Sequence, residues 1–482
     1  MSSNQLKFLW TTERYKVISC VIWFSIILFS FLKVYFITPV DLNNDNFLET
    51  YKYFTPDSYD WLVNGKYLFV HEDITYRQPG LPLIIKLLMS INLLGLLPLI
   101  NHIVLLIFLY STYQVSLLIN PHRNRKYLAL FLICILFTNY YLQYFTNLIL
   151  ADIYAFTFIS LAFYFLFKNQ WKLSYFFLGI SWLFQNFAPV LIPVFMIYSL
   201  FLQHKRKKLI IKRLTELVVY VIVFLLPCSW WLIYKTINFG NPFYTKVIQF
   251  ELLAPNFNSI NYYAFNSLAI YGFILCFILI YFIVRTKDFW TNKMLTSFII
   301  SIFITFIFWV VLYEWNDRRF LLYFMPFYIP LAYTSLLAIN WHTVTLSFFS
   351  LMLTLNTFIS VTPSKFERIL PLAPGVEIEK MVAGELELTV RKPNLTSLPI
   401  AFFYETYVNR DALKREKNTI AHHYIEIIKQ NYDPDTNILC LDFSKFPHSF
   451  YEFNNVFKYM NKGRSVRVTT IIDSCYKHPN EE

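Results

Sequence analysis

Glycine and methionine are scarce in this chain: 9 and 8 of 482 residues, against 51 phenylalanines and 35 tyrosines. So little glycine leaves no place for a glycine-rich phosphate cradle, and no Walker loop, GxSxG elbow or HExxH pair occurs. Charge is short as well. Charged residues make up 15% and hydrophobic ones 56%, a balance that excludes an ordinary soluble protein of this length and points to a polytopic membrane protein. The aromatic share of 20% reflects an AT-rich codon bias as readily as tightly packed aromatic helices. Cysteine gives no metal site. Cys20, Cys134, Cys228 and Cys276 fall inside apolar runs and read as packing residues. Cys440 and Cys475 lie in the polar tail, where an oxidising compartment permits a disulfide, and neither has metal-type spacing. His422 and His423 are neighbours on a predicted helix and point apart, so no metal is expected.

What the chain has instead is a series of apolar runs, and a run of about 20 residues is long enough to span a bilayer. They lie near Val17–Ile37, Ile103–Ile119, Tyr127–Tyr144, Leu148–Phe167, Leu173–Phe187 and Pro189–Leu202. Further runs follow near Leu214–Ile237, Leu268–Val284, Met294–Tyr313, Phe320–Ile339 and Val344–Val361. The expectation is about eleven spans, the pair around Ala188–Pro189 being short for the task. The first run is too long for a cleavable signal peptide and reads as a signal anchor.

The net charge of +12 resolves into loops of alternating sign. Lys7, Arg14 and Lys16, then Arg123, Arg125 and Lys126, then Lys205 to Lys208 and Arg285 to Lys293 mark one side. Asp41, Asp45, Glu49, Asp57, Asp60, Glu72, Asp73, Asp152, Glu251, Glu314 and Asp317 mark the other. Positive loops stay inside, so the charges orient the chain in a bilayer and no nucleic-acid partner is implied. The N-terminus is expected in the cytoplasm and the C-terminus outside it. The expected fold is mostly α: a transmembrane helical bundle over residues 1–362, followed by a small extracytoplasmic α/β domain over residues 363–482. That second domain rests on helices at Asp411–Lys429 and through "YEFNNVFKYMNK", with strands in "NILCLDF" and "VRVTTIID".

The first acidic loop, "TPDSYDWLVNGKYLFVHEDITYRQPGLPL", begins at Thr55. Thr55 suits an N-cap, Pro56 the first helical position, and Asp57 and Asp60 the first turn, where the helix dipole favours carboxylates. Trp61, Leu62 and Leu68 give this helix an apolar side suited to lying flat on the membrane. A helix on a membrane accounts for those residues but not for the Arg77–Gln78–Pro79–Gly80 turn that leads into a second apolar helix, Leu81–Leu97.

This loop resembles the first outside loop of the GT-C glycosyltransferases, in the branch of the protein O-mannosyltransferases and the lipid A aminoarabinose transferase. There the pattern reads roughly "D-S-x-x-Y-x-x-L-A-x-N-L … R-P-P-G-Y-P". Here "DSYDWLVNGKYL … RQPGLP" puts Gln78 where proline is usual and Leu81 where tyrosine is usual. "LADIYAFTFISLAFYFL" is similar to the segment carrying the family's second acid, which falls on Asp152. "LGISWLFQNFAPVLIPV" is similar to its pair of short spans, with Gln185 and Asn186 at their turn. "NFGNPFY" and "EWNDRRFLLYFMPFYIPLAY" resemble two later elements. The likeness covers most of Val17–Val361 in order; residues after Pro363 carry no motif.

The resemblance implies an inverting glycosyltransferase that moves a sugar from a polyprenyl-phosphate donor to an extracytoplasmic acceptor, in membrane lipid and in a bacterial inner membrane. It implies Asp57 as base, with Asp60 as its local rival and Asp152 as a second acid that orients the acceptor or holds cations. An acceptor hydroxyl needs such a positioned base, and the leaving phosphate needs cations. The outside cations are Lys66, Arg77, Lys246, Arg318 and Arg319. Arginine forks favour Arg77 with Arg318 or Arg319. Arg318 and Arg319 pair equally well with Glu314 and Asp317 at the interface, and Arg77 can snorkel to head groups. Tyr59, Trp61, Gln185 and Asn186 are candidates for holding acceptor or sugar. No cofactor is implied, though some families in this superfamily use a divalent ion. The rival readings are a transporter or flippase and an O-antigen ligase or polymerase; short loops after Ile237 and Tyr313 weigh against the latter.

Overall fold

The computed structural model describes residues 3–39, most of 41–47, isolated positions between 51 and 69, and residues 77–119, 126–199, 210–242, 292–312 and 318–338. Beyond these it describes single helical positions at 260, 263 and 267 and short strands between 387 and 472. Nearly all of the described chain is helical. Helix α1 is Ser3–Ile37, α2 Gly80–Ser90, and α3 Leu97–Ile119, entered by a 3-10 turn at Leu94–Leu96. Then come α4 (Lys126–Thr138), α5 (Tyr140–Asn147), α6 (Asp152–Phe167), α7 (Trp171–Phe184) and the short α8 (Ile192–Ile197). A 3-10 turn at Pro227 joins α9 (Ile210–Leu225) to α10 (Ser229–Phe239). Helix α11 (Lys293–Phe306) runs on as a π-turn to Leu312, and a 3-10 turn, Arg318–Phe324, opens α12 (Met325–Ala338).

Among the described residues, Tyr15–Ile37, Leu94–Ile119, Thr215–Asn238, Lys293–Leu312 and Arg319–Leu337 are long and apolar enough to cross a membrane. These fit a membrane protein. The bent pair α4–α5 makes a sixth span if counted as one. The expected spans Leu268–Val284 and Val344–Val361 lie outside the described residues. Three other expectations change. The run Tyr127–Tyr144 is not one straight span, because the chain turns by 56° after Thr138. Asn139 causes the turn: its side chain accepts from the Leu142 N–H and so starts a new helix. Leu148–Phe167 is a helix of 16 residues, and Leu173–Phe187 one of 14. The apolar side of the first loop does not lie open to lipid either: Trp61, Leu62 and Leu68 are buried by protein.

Scarce glycine is offset by asparagine. Asn92 (φ 55°) and Asn169 (φ 62°) take the left-handed positions after α2 and α6. In each case the next amide reaches back to close the helix end, Leu93 N–H to Leu88 and Gln170 N–H to Phe165. The few glycines that remain include close contacts. A Cβ on Gly179 would fall 2.1 Å from the Phe224 carbonyl oxygen, so α7 and α9 meet backbone to backbone.

The core lies around α3, α6, α7 and α12. Ser111 on α3 donates to Ser160 on α6 at 2.9 Å, and Ser181 on α7 to the Ala155 carbonyl at 2.9 Å. One side of α6 is aromatic: Phe163 and Phe167 meet Phe195, Phe298 and Phe327 with ring centroids 4.8 to 5.5 Å apart. Helices α1 and α9 instead turn Phe24, Phe29, Phe36, Val218 and Ile222 outward, as lipid-facing helices do. Cys228 is buried and donates to the Gly179 carbonyl; Cys20 is exposed on α1 rather than packed. Short strands lie within the expected segments NILCLDF and VRVTTIID, and two that were not expected occur at Glu387–Leu388 and Tyr432–Asp433. Ile438–Cys440 pairs parallel with Thr470–Ile472 and antiparallel with Tyr432–Asp433, and Glu387–Leu388 pairs parallel with Arg467–Val468. The tail helices, Cys475 and the side chain of Cys440 lie outside the described residues.

Candidate functional site

The turn at Arg77–Gly80 is docked on the end of α7. Gln78 donates from Nε2 to Asn186 Oδ1, and the Trp182 indole reaches the same oxygen at 3.3 Å. Gly80 has to be glycine here, since a Cβ would sit 2.7 Å from the Leu183 carbonyl oxygen and 2.9 Å from the Phe184 ring. Gln78 is one of the positions that departs from the family pattern, and it makes a bond that proline, lacking any donor, would not. Gln185, the C-cap of α7, is extended and partly buried beside this contact. Trp61 and Arg77, expected as sugar and phosphate ligands, meet each other: the guanidinium lies 4.9 Å from the centre of the Trp61 ring.

Asp152 is the first residue of α6 and is 2% exposed. Its Oδ1 accepts a hydrogen bond of 2.8 Å from the Tyr323 hydroxyl, 171 positions away on the 3-10 turn. The helix start adds a favourable dipole for the carboxylate. The Tyr323 ring is wedged between Trp309 (5.0 Å) and Phe187 (5.4 Å), so the α7–α8 turn that carries Asn186 packs against the ring whose hydroxyl holds the carboxylate. Two residues along α6, Tyr154 donates to Asn101 Oδ1 at 2.6 Å and stacks on Phe184 at 4.8 Å. Asn101 in turn donates to the Thr146 and Leu148 carbonyls at 3.1 and 3.2 Å. Tyr51, from the first loop, donates to the Asn147 carbonyl; burial pushes its phenol well above the ordinary value, so it stays a neutral donor. The first loop, the α5–α6 link, the α7–α8 turn and the turn before α12 thus share one end of the bundle.

Asp57, Tyr59, Asp60, Lys66, Lys246, Glu314 and Asp317 lie outside the described residues, and so does the side chain of Arg318. Arg319 is described, with its guanidinium 5.2 Å from the Phe320 ring. Sequence reasoning missed Tyr323, although it stands inside the quoted "RRFLLYF". It also missed Asn101 and Tyr154, whose only signal is that they are polar in apolar runs, and Tyr51, which stands in the polar first loop with no signal. A separate cluster was missed too. Lys86 on α2 donates to the Leu68 carbonyl and lies 5.8 Å from the Phe69 ring centre. Phe69 meets Trp230 and Tyr234 of α10, and Lys235 lies 5.3 Å from the Trp231 ring centre. Among the described residues, no group of three or more His, Cys, Asp or Glu side chains could hold a metal ion.

Chemically, the end of the bundle offers a shielded carboxylate, neutral tyrosine and amide donors, and an arginine whose guanidinium lies over an indole. Comparison with family models, with curated proteins and with solved structures gave no match.

Proposed function

We propose that the chain is an integral-membrane inverting glycosyltransferase acting on a polyprenyl-phosphate-linked sugar and an extracytoplasmic acceptor. In this reading the positive loops keep the N-terminus in the cytoplasm of a bacterial inner membrane, and a count of about eleven spans brings the C-terminus out. Residues 363–482 form an extracytoplasmic α/β domain on the side of the acidic loops. The observation that best supports the reading is the docking of the Arg77–Gly80 turn onto Asn186, next to the Asp152–Tyr323 pair. Each of these residues belongs to a different motif of the ordered set, and a helical scaffold alone gives no reason for them to meet.

In this reading Asp57 takes the acceptor O–H proton, the acceptor oxygen bonds to the anomeric carbon from the face opposite the phosphate, and the bond from that carbon to the phosphate oxygen breaks. Polyprenyl phosphate leaves. Asp152, whose Oδ1 accepts from the Tyr323 hydroxyl and which is buried, positions the site in this reading while Asp57 takes the proton. Arg77 and Arg319 are the described cations at this end, with Arg318 and Lys246 as further candidates for the phosphate. The test is sugar transfer by Asp57→Asn, which keeps size and hydrogen bonding but not basicity: a loss on the order of 10²–10⁴ in rate is expected with normal expression. Near-normal transfer with a dead Asp60→Asn would move the base; activity in both, and in Asp152→Asn, would end the reading.

A transporter or flippase is the second reading, and a specific observation favours it. The α4–α5 bend sits beside Lys33, which donates to Gln143 at 2.7 Å inside the apolar part of α1 and α5, and broken helices with intramembrane cations mark many transporters. Uptake or flipping of a lipid-linked sugar in proteoliposomes, without any covalent transfer, would select it.

A further inference from the structure

His102 is 2% exposed on α3, a helix long and apolar enough to cross a membrane. Its Nδ1 lies 2.9 Å from the Pro98 carbonyl oxygen. A carbonyl only accepts, so Nδ1 carries the hydrogen, and in the neutral ring Nε2 is a bare lone pair. That nitrogen is buried without a hydrogen-bond partner. A buried acceptor left unpaired is costly and rare. Packing alone gives no reason for a ring with one open nitrogen.

Three helices converge beside it. Lys33, one turn from the end of α1, donates to Gln143 on α5 at 2.7 Å. Gln143 donates to the Phe137 carbonyl at 2.7 Å, where α4 ends. Asn101, the residue before His102, donates to the Thr146 and Leu148 carbonyls at the other end of the short α5. Helices α1 and α3 thus meet over the same two turns of α5, and the Lys33 charge reaches the imidazole. Two more polar atoms without a hydrogen-bond partner are buried within a turn of these contacts: Ser30 Oγ, before Lys33, and Asn147 Oδ1, after Gln143. Other titratable groups on the helices packed against α3 include Tyr15, Cys134, Tyr144, Asp152, Tyr154 and Tyr333. Among the described residues, Lys33 is the one whose charge acts on His102.

A snorkelling lysine is the plain alternative, since Lys33 is only partly buried and lies near a helix end. That accounts for a charge on α1. It does not account for a bare imidazole nitrogen, enclosed by protein, within reach of that charge.

We propose that His102 Nε2 is an intramembrane proton-binding site that shares one proton with Lys33. In the exchange an N–H bond of the Lys33 ammonium breaks, an N–H bond forms at His102 Nε2, and one positive charge moves from α1 to α3, directly or through a bridging water. Two cations so placed in a low-dielectric interior repel, so the pair carries a single charge. The last carbonyls of α4 favour a cation and keep that charge on Lys33 at rest. Lys33, partly exposed, is the way in from water. The inference does not depend on the sugar-transfer reading.

The test uses the full chain in phosphatidylcholine nanodiscs, isotopically labelled on its histidine nitrogens and followed by magnetic resonance. The His102 signal is the one lost in His102→Gln. At neutral pH it should report hydrogen on Nδ1 and none on Nε2. Removing the competing charge in Lys33→Met should let His102 take the proton at a lower proton concentration, on the order of tenfold, or about one pH unit. Lys33→Gln should do the same, so a failure of one variant to fold leaves the other informative. Lys33→Arg, which does not give up its proton, should leave His102 neutral throughout. An identical pH dependence in the unmodified chain and in both neutral variants would overturn the inference, as would hydrogen on Nε2 of the unmodified chain at neutral pH. So would a ring that stays neutral in every variant down to the pH at which the chain unfolds, which would mark His102 as a packing residue.

Discussion

At the end of the bundle where the first loop docks, side chains from remote parts of the chain bond to one another: Gln78 to Asn186, Asp152 to Tyr323, Tyr154 to Asn101. At the opposite end of α6 from Asp152, Phe163 and Phe167 meet Phe195, Phe298 and Phe327 ring against ring. Both regions are buried, yet they solve different problems. In a bilayer the apolar rings gain little by leaving lipid, so the aromatic cluster is held by shape and dispersion. The polar end is held by directed bonds whose partners are buried and must stay satisfied. The first arrangement sets how helices pack; the second sets where chemistry-bearing side chains point.

Four changes would break or sharpen this contrast. Phe163→Ala should cost most, on the order of 3–5 kcal/mol, because it removes a ring that four others contact and leaves a cavity. Reversible unfolding in mixed micelles would measure it. Asp152→Ala should follow at about 2 kcal/mol, from the buried acceptor that the Tyr323 hydroxyl loses. Asp152→Asn, which keeps an acceptor, should cost less. Were Asp152→Ala to cost more than Phe163→Ala in the same assay, the polar end and not the aromatic cluster would dominate stability. A double-mutant cycle on Gln78→Ala and Asn186→Ala should return a coupling of about 1 kcal/mol. A coupling near zero would mean that the loop is docked by Gly80 contacts alone. Ser335→Ala should shift stability by only a few tenths of a kcal/mol, since its hydroxyl bonds back to the Leu331 carbonyl of its own helix at 2.9 Å.

Composition alone carried the helical class and the long spans, because about 20 apolar residues have few other uses. The segments quoted for the family resemblance contain Gln78, Asn186 and Asp152, and the structure bonds Gln78 to Asn186 and Asp152 to Tyr323. Composition did not reveal the bend after Thr138, since an apolar run counts composition while the break is made by one asparagine bonding to the Leu142 amide. The cue was present in "FTNYYLQ", a capping residue in mid-run. Tyr323 opposite Asp152 was not legible because pairing across 171 positions leaves no local pattern. The burial of Trp61 was misread for a related reason. An apolar helix face asks for an apolar neighbour, and the pattern does not say whether that neighbour is lipid or protein.

Helix α6 spans 16 residues and α7 14, which at 1.5 Å per residue is ~24 and ~21 Å against a hydrocarbon core of about 30 Å. If these helices cross the bilayer, they do so with too little length. Mismatch of this kind is met by thinning the lipid locally. The start of α6 would then lie several ångströms beneath the general head-group plane, on the floor of a depression. Under the proposed sugar transfer, a water-soluble acceptor would have to descend to this end of the bundle, while an isoprenoid chain would meet it almost on the level. Membrane thickness would then control which of the two arrives: bilayers of longer acyl chains should deepen the depression and slow the polar partner first.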